Sequence, residues 1–240
     1  MTWPEYFSIN HETRELRLNA PPTIQERTHL LNSTLRSNRE SGKVESFGKW
    51  NVESFALYSP SSGEHILDIL DAGVNLFGIP NYKVCMLAST QTLSGKKFWV
   101  PRRSNKMRYP NLLDNFVGGS LATGEKPIDC IVREASEEAS IPEGYTREHI
   151  KPCGCLSYMM TQTDDGGVGC QYQVQYVYEI ELPEDMVPIP LDGEVKEFLL
   201  MGIEEVRERL GKGELKLVSR VLSVRSRFWI VLRHLALSVM

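Results

Sequence analysis

The sequence has little of several features that assign a chain to a class at once. Of its 240 residues only five are cysteine, with no C-x-x-C pair and no histidine at zinc spacing, so we expect free thiols and no zinc site. No apolar run reaches the roughly 18–20 residues of a membrane span, and the first residues lack the apolar stretch of a signal peptide. We therefore expect a globular, cytoplasmic protein that does not interact with a membrane.

Charge of one sign is not in excess either. Lys and Arg number 27 against 31 acidic residues, which gives a formal net charge of -4 and no polybasic tail. Nucleic acid is therefore not an expected partner, since phosphate backbones are bound by clustered basic residues. The phosphate-binding loop G-x-x-x-x-G-K-[ST] is also absent, so an ATP-binding site of that kind is not expected.

What the sequence does contain is a short run of glutamates in "REASEE". Glu134, Glu137 and Glu138 stand at i, i+3 and i+4, so a helix brings them to one face. Like charges at this spacing cost about 0.2–0.5 kcal/mol per pair unless a cation lies between them. Mg²⁺ prefers oxygen ligands and is often shared with substrate phosphates. A metal site and a solvated helix face both fit this cluster alone.

The flanking residues favour the metal site. Gly118 and Gly119 end an apolar stretch, and Pro127 is a good first residue of a helix. The apolar residues of this helix mark the opposite, packed face: Ile128, Ile131, Val132 and Ala135. The pattern predicts a strand, a loop and a helix whose acidic face turns toward the loop.

The spacing resembles the Nudix box, G-x5-E-x7-R-E-U-x-E-E-x-G-U with U aliphatic. The matching positions are Gly119, Glu125, Arg133, Glu134, Ala135, Glu137, Glu138 and Ile141. One position departs: Ser140 stands where the pattern has its last glycine, at a cost of about 1 kcal/mol if the backbone there is left-handed.

A narrower resemblance covers more of the chain. The segments "FWVPRRSNKMRYPNLLDNFVGGSLATGE", "REASEEASIPE" and "DGEVKEFLLMGIEEV" are similar to fungal and plant Nudix proteins described as thiamin-pyrophosphokinase-related. This resemblance implies Mg²⁺-dependent hydrolysis of a small-molecule diphosphate, with Mn²⁺ as a substitute ion. The implied substrates are thiamin diphosphate and its oxidised derivatives, with release of phosphate and the monophosphate. Two alternatives stay open: hydrolysis of a nucleoside diphosphate linked to another group, such as ADP-ribose, and a binding module without catalysis. The oligomeric state is open.

The expected fold class is α/β. The resemblance implies a Nudix α/β/α sandwich with a mixed sheet over residues 81–240, preceded by a small, shortened N-terminal α+β region over residues 1–80. Apolar spacing in "GEHILDILDAGVNLF" predicts a helix over 63–77, and alternation predicts a strand pair from 83 to 102 and a long hairpin from 151 to 182. A helix over 203–210 and an amphipathic helix near the C-terminus complete the prediction.

The candidate site residues follow from the box and its surroundings. The expected catalytic residues are Glu134, Glu137 and Glu138 with Arg133, which we expect to orient a glutamate. The expected metal ligands are the same three glutamates and the carbonyl of Gly118, carried over from the family pattern. The expected substrate-binding residues are Arg102, Arg103, Lys106 and Glu125, and the further candidates for a base in a late loop are Glu194 and Glu197.

Overall fold

The computed structural model describes residues 1–19, 23–42, 53–161 and 170–216. The chain divides into two compact units. The first consists of Met1–Asn81, Leu121–Glu125 and Ser157–Val174, and the second of Tyr82–Ser120, Lys126–Leu156 and Gln175–Met240. Among the described residues, no helix has both the length and the apolar character needed to cross a lipid bilayer.

From Met1 to Val74, the described residues of the first unit form two small antiparallel hairpins, one long helix and one short helix. In chain order these elements are β1 (Phe7–Asn10), β2 (Glu15–Leu18), α1 (Ile24–Glu40), β3 (Ser54–Tyr58), β4 (His65–Leu70) and α2 (Asp71–Val74). Thr23 caps α1, because its hydroxyl accepts a hydrogen bond from the backbone N–H of Glu26. Leu35, Ile69 and Val74 are fully buried in the core that joins helix α1 to β4 and α2.

The predicted helix over 63–77 is wrong. Residues His65–Leu70 form strand β4, paired antiparallel with β3, and only Asp71–Val74 are helical. The alternating residues Leu67 and Ile69 are buried in the core, as a half-buried strand requires. The apolar spacing of this segment fits both a helix and a strand, and pairing with β3 decides for the strand.

The second unit contains most of a six-stranded sheet. Its strands are β5 (Pro80–Thr92), β6 (Gly95–Arg103), β7 (Val117–Ser120), β8 (Lys151–Thr161), β9 (Cys170–Glu181) and β10 (Val195–Gly202). The strand order is β10-β6-β5-β9-β8, and β7 pairs with β5 off this path. The predicted strand pair around the Ser94-Gly95 turn is confirmed as β5 and β6. The two strands of the predicted long hairpin are confirmed as β8 and β9.

The described part of the second unit has three helices: α3 (Pro127–Ala139), α4 (Glu143–His149) and α5 (Ile203–Gly211). Helix α3 packs against β7, and α5 packs against β6 and β10. The predicted helix over 203–210 is confirmed as α5, and the expected α/β class is confirmed as well. The predicted C-terminal helix lies outside the described residues.

Helix α3 ends in the way that its sequence predicts. Pro127 is its first residue, and Ser140 follows its last residue with φ 57° and ψ 29°, a left-handed conformation that glycine adopts more easily. The Ser140 hydroxyl donates a hydrogen bond to the carbonyl of Ile189 at 2.9 Å, which offsets part of the backbone cost. Serine at this position is therefore less favourable than glycine for the backbone, but it adds a hydrogen bond to the carbonyl of Ile189.

Candidate active site

Helix α3 buries one of its three box glutamates. Glu138 is only 7% exposed, and its Oε2 accepts a hydrogen bond of 3.4 Å from the backbone N–H of Gly118 on β7. Burial raises the pKa of Glu138 well above its ordinary value, and the nearby carboxylates of Glu134 and Glu194 raise it further. A buried carboxylate surrounded by other carboxylates is stable as an anion only with a cation nearby.

The residues that meet Glu138 come from the loop before β10. One carboxylate oxygen each of Glu138, Asp192 and Glu194 lies within 4.8 Å of the others. The turn between the two loop residues is tight: Gly193 has φ +85°, and Asp192 Oδ1 accepts a hydrogen bond from Glu194 N at 2.8 Å. We refer to these three carboxylates as the acidic cluster. The sequence prediction included Glu194 but missed Asp192, although both belong to the same "DGE" turn.

Arg133 bridges the other two glutamates of the box. Its guanidinium lies 3.0 Å from Glu134 Oε1 and 2.8 Å from Glu137 Oε2. Glu137 is half exposed, whereas the Glu134 side chain is only 14% exposed. Burial raises the pKa of Glu134 to about 7, against the lowering effect of Arg133. The geometry gives Arg133 the orienting contact expected of it.

Gly119 provides the space that Glu134 occupies. A Cβ atom built on Gly119 would overlap the carboxylate and the Cγ of Glu134. Gly119 also lies on β7, where it is paired with Val84 of β5, so the backbone there cannot move aside freely. The first glycine of the box is therefore required by the position of a glutamate side chain.

Arg102 and Arg103 both make ion pairs within the protein. Arg102 Nε lies 2.7 Å from Glu197 Oε1 across β6 and β10. Arg103 pairs with Asp114, a carboxylate that also accepts from Lys216 Nζ at 3.0 Å. Neither arginine is brought to the acidic cluster by a contact that the described residues show, and their predicted role in substrate binding stays a prediction.

Lys106 has a different position. Its Nζ lies 3.9 Å from the place that a Cβ of Gly193 would occupy, so the ammonium lies beside the turn of the acidic cluster. A hydrogen bond of 2.8 Å from Ser104 N to the carbonyl of Glu194 joins the two loops. Glu125 instead braces its own turn, because its carboxylate accepts from the backbone N–H of Ala122 at 3.3 Å.

The acidic cluster suits a hard divalent cation. Its three groups offer only carboxylate oxygens, the ligand type that Mg²⁺ and Mn²⁺ prefer, and two of them are exposed on one side. A carboxyl whose pKa is raised by burial and by neighbouring carboxylates gains electrostatic stabilisation as an anion from a bound cation. The residues present therefore fit the expected ion.

Curated proteins related to this chain occur in fungi and plants. An uncharacterized protein of Saccharomyces cerevisiae, YJR142W, is 30% identical over 88% of this chain and 64% of its own length. Nudix hydrolase 20, chloroplastic, of Arabidopsis thaliana is 34% identical over 59% of this chain and 37% of its own length. The chain thus spans less than two thirds of the length of these relatives.

A solved structure and a family model agree with the fold. The crystal structure of DR0079 from Deinococcus radiodurans superposes with a TM-score of 0.55 at 25% identity, over 72% of this chain and 99% of that one. The model of the NUDIX domain matches residues 84–221, a range that includes the box and the acidic cluster. Because this match covers more than half of the chain, the protein belongs to the Nudix family.

Proposed function

We propose that the protein is a divalent-metal-dependent hydrolase that cleaves a small-molecule diphosphate. The observation that carries this proposal is the acidic cluster, in which a buried glutamate of the box helix meets two carboxylates of a late loop. A purely structural role would leave Glu138 desolvated and repelled by its neighbours, with the one long hydrogen bond from Gly118 to offset the cost.

The residues divide the work between metal and substrate. Glu138, Asp192 and Glu194 hold the ion, with Glu134 and Glu137 of the same helix beside them. A bound Mg²⁺ or Mn²⁺ supplies charge neutralisation on the phosphate oxygens. Lys106 provides a positive charge for the diphosphate from the neighbouring loop. Glu194 would offer one carboxylate oxygen to the ion and is our candidate for the general base through its other oxygen, since Glu197 is occupied by Arg102.

We further propose thiamin diphosphate and its oxidised derivatives as substrates. The support is the resemblance of residues 98–125, 133–143 and 192–206 to the thiamin-related Nudix group. A cytoplasmic location is part of the same proposal. The plant relative is named as a chloroplast protein, so the location of this chain needs its own measurement.

The test is release of hydrolysis products, separated by chromatography, from thiamin diphosphate and its oxo derivative (the monophosphate and phosphate) and from ADP-ribose (AMP and ribose 5-phosphate), with Mg²⁺, with Mn²⁺ and with a chelator. Metal-dependent release that is fastest from the oxo derivative supports the whole proposal. Preference for ADP-ribose keeps the metal chemistry and removes the thiamin substrates. No release from any of the three, with metal binding intact, indicates a binding module.

A further inference from the structure

A row of exposed apolar side chains immediately precedes the acidic cluster. Val187, Ile189 and Leu191 are 57%, 60% and 69% exposed. Pro188 between them is buried, so the exposure alternates along the segment. At about 3.3–3.6 Å per residue of extended chain, these three side chains, which we call the apolar row, extend over roughly 13–14 Å. Three large apolar side chains exposed within five residues are more than the scattered single ones that are normal on a protein surface.

The apolar row is fixed to the helix that carries the box glutamates. Ile189 N donates a hydrogen bond to the carbonyl of Ala139 at 3.0 Å. The carbonyl of Ile189 in turn accepts the bond from the Ser140 hydroxyl at 2.9 Å. Ala139 follows Glu138 directly, so the end of α3 holds both a buried carboxylate of the acidic cluster and the centre of the apolar row.

The prolines make the apolar row stiff. Pro188 and Pro190 each fix their own φ, and each restricts the preceding residue, Val187 or Ile189, to an extended conformation. Proline has no backbone N–H, so this segment cannot act as a regular strand in a sheet. The three side chains are therefore presented in one arrangement, at little entropic cost to a ligand that contacts them.

The apolar row also continues directly into the metal-binding turn. Leu191 is adjacent to Asp192, whose carboxylate lies within 4.8 Å of those of Glu138 and Glu194. A diphosphate held by a cation at the acidic cluster must place its organic group on some neighbouring surface. The nearest surface along the chain is apolar, although the rest of this turn is acidic.

We infer that the apolar row is a binding subsite for the apolar or aromatic part of the organic group that the diphosphate carries. This inference rests on the proposed function for the diphosphate and adds the class of group attached to it. The subsite favours a substrate with an extended apolar or ring-containing group over one whose group is small.

The experiment compares two substrates across three proteins. Thiamin diphosphate and methyl diphosphate share the cleaved bond but differ in apolar surface. The test variant carries Ile189→Ser and Leu191→Ser. The matched control is Leu93→Ser, because Leu93 is fully exposed in the turn at the far end of β6 from the Ser104–Glu194 contact. The measured quantity is the ratio of kcat/KM for the two substrates.

We expect the double variant to lower this ratio about tenfold, mainly through KM for thiamin diphosphate, since two exposed apolar contacts are lost. The control variant should keep the wild-type ratio. An unchanged ratio in the double variant overturns the inference. A change from dimer to monomer in sedimentation, with the ratio unchanged, assigns the apolar row to a contact between copies of the chain and also overturns it.

Failure of the proposed function gives a different result. In that case the wild-type protein hydrolyses neither substrate, and calorimetric binding of the same two ligands to the same three proteins becomes the measurement. About tenfold weaker binding of thiamin diphosphate by the double variant alone supports the subsite without hydrolysis. Equal binding by all three proteins, or no binding at all, overturns the inference.

Discussion

Two asparagines of the first unit and one glutamate of the second unit are buried in opposite ways. In the first unit, the buried Asn32 donates to the carbonyl of Asp68 and accepts from the N–H of Leu70, and the buried Asn38 donates to two backbone carbonyls. In the second unit, the buried Glu138 has one long hydrogen bond of 3.4 Å and two carboxylate neighbours.

The two kinds of buried side chain have different roles, one in stability and the other at the candidate active site. A neutral amide with its hydrogen bonds made adds stability and defines where α1 lies against β4. A desolvated carboxylate with like charges around it costs stability unless a cation is supplied. The first kind of burial maintains a structure, and the second keeps a site ready for an ion.

The strongest test of this contrast is Glu138→Gln. We expect a loss of activity of about 10²–10⁴-fold, because the amide cannot replace an anionic oxygen at the metal. The melting temperature of the metal-free variant at pH 8 should stay the same or rise, since an unfavourable buried charge is removed. Steady-state kinetics and thermal unfolding measure the two effects, and a marked loss of stability would argue that Glu138 is structural.

Asn32→Ala should show the reverse behaviour. We expect the free energy of unfolding to fall by about 2–3 kcal/mol, because two backbone groups of β4 lose their buried partner. The activity of the folded fraction should remain near that of the wild type. Gln25→Ala on the exposed face of the same helix is the matched control and should change stability by less than about 0.5 kcal/mol in urea unfolding.

The pH dependence of the free energy of unfolding measures the cost of ionising the box glutamates in the folded protein. The pKa of Glu134 is raised from 4.5 to about 7, so the folded protein keeps a proton that the unfolded chain releases. Stability from this group is present below pH 4.5 and is lost as the pH rises toward 7, by at most about 1.4 kcal/mol per pH unit.

Urea unfolding of the chelator-treated protein between pH 5 and pH 8 checks this slope. Glu134→Gln should flatten the part of the slope that this group contributes. Addition of Mg²⁺ should restore stability mostly at the high end of the range, because the ion binds the ionised carboxylates. A metal effect that is equal at pH 5 and pH 8 would contradict the assignment.

Gly119→Ala probes the space beside the box helix. The added methyl overlaps the Glu134 carboxylate, so we expect this side chain to move and the activity to fall about tenfold, as for other groups that position metal ligands. Gly144→Ala is a suitable control, because no atom lies within 4 Å of its built Cβ. A Gly119→Ala protein with full activity would show that the position of Glu134 is unimportant.

The smallest effect is expected at Ser140. Glycine there removes the left-handed strain but also the hydrogen bond to Ile189, and the two terms nearly cancel, to within about 0.5 kcal/mol. Ser140→Ala keeps the strain and loses the bond, so it should be less stable by about 1 kcal/mol. Thermal unfolding of the two variants side by side separates the backbone strain from the hydrogen bond. Equal losses of stability in the glycine and alanine variants would show that the left-handed backbone of Ser140 costs nothing.

The sequence predicts the second unit better than the first, for a physical reason. The box helix has period-3.6 spacing, a proline at its first position and a clear end, so local signals agree with the fold. The segment 63–77 has apolar residues that fit a helix, and residues His65–Leu70 form a strand because they pair across residues 59–64 with the preceding strand β3, which lies outside the apolar segment. Local spacing cannot report a partner strand.

The same limit explains what was missed at the site. The three box glutamates were predicted to converge on one metal; Glu138 belongs to the acidic cluster within 4.8 Å, and the metal contacts of Glu134 and Glu137 stay a prediction. Asp192 enters through a tight turn from a loop some fifty residues away, and spacing within one helix carries no information about it. Conversely, Arg102 and Arg103 stood out as basic residues near the box, and only the structure reveals the acids that pair with them.

The way in which the apolar row is attached to α3 affects which substitutions the protein can tolerate. Both bonds that attach residue 189 to the end of α3 use its backbone N–H and carbonyl, and its side chain takes no part. Different side chains at positions 187, 189 and 191 would therefore leave the fold and the carboxylates in place. With the role that we propose for the apolar row, recognition of the organic group can change through three exposed positions while the carboxylates of the acidic cluster stay the same.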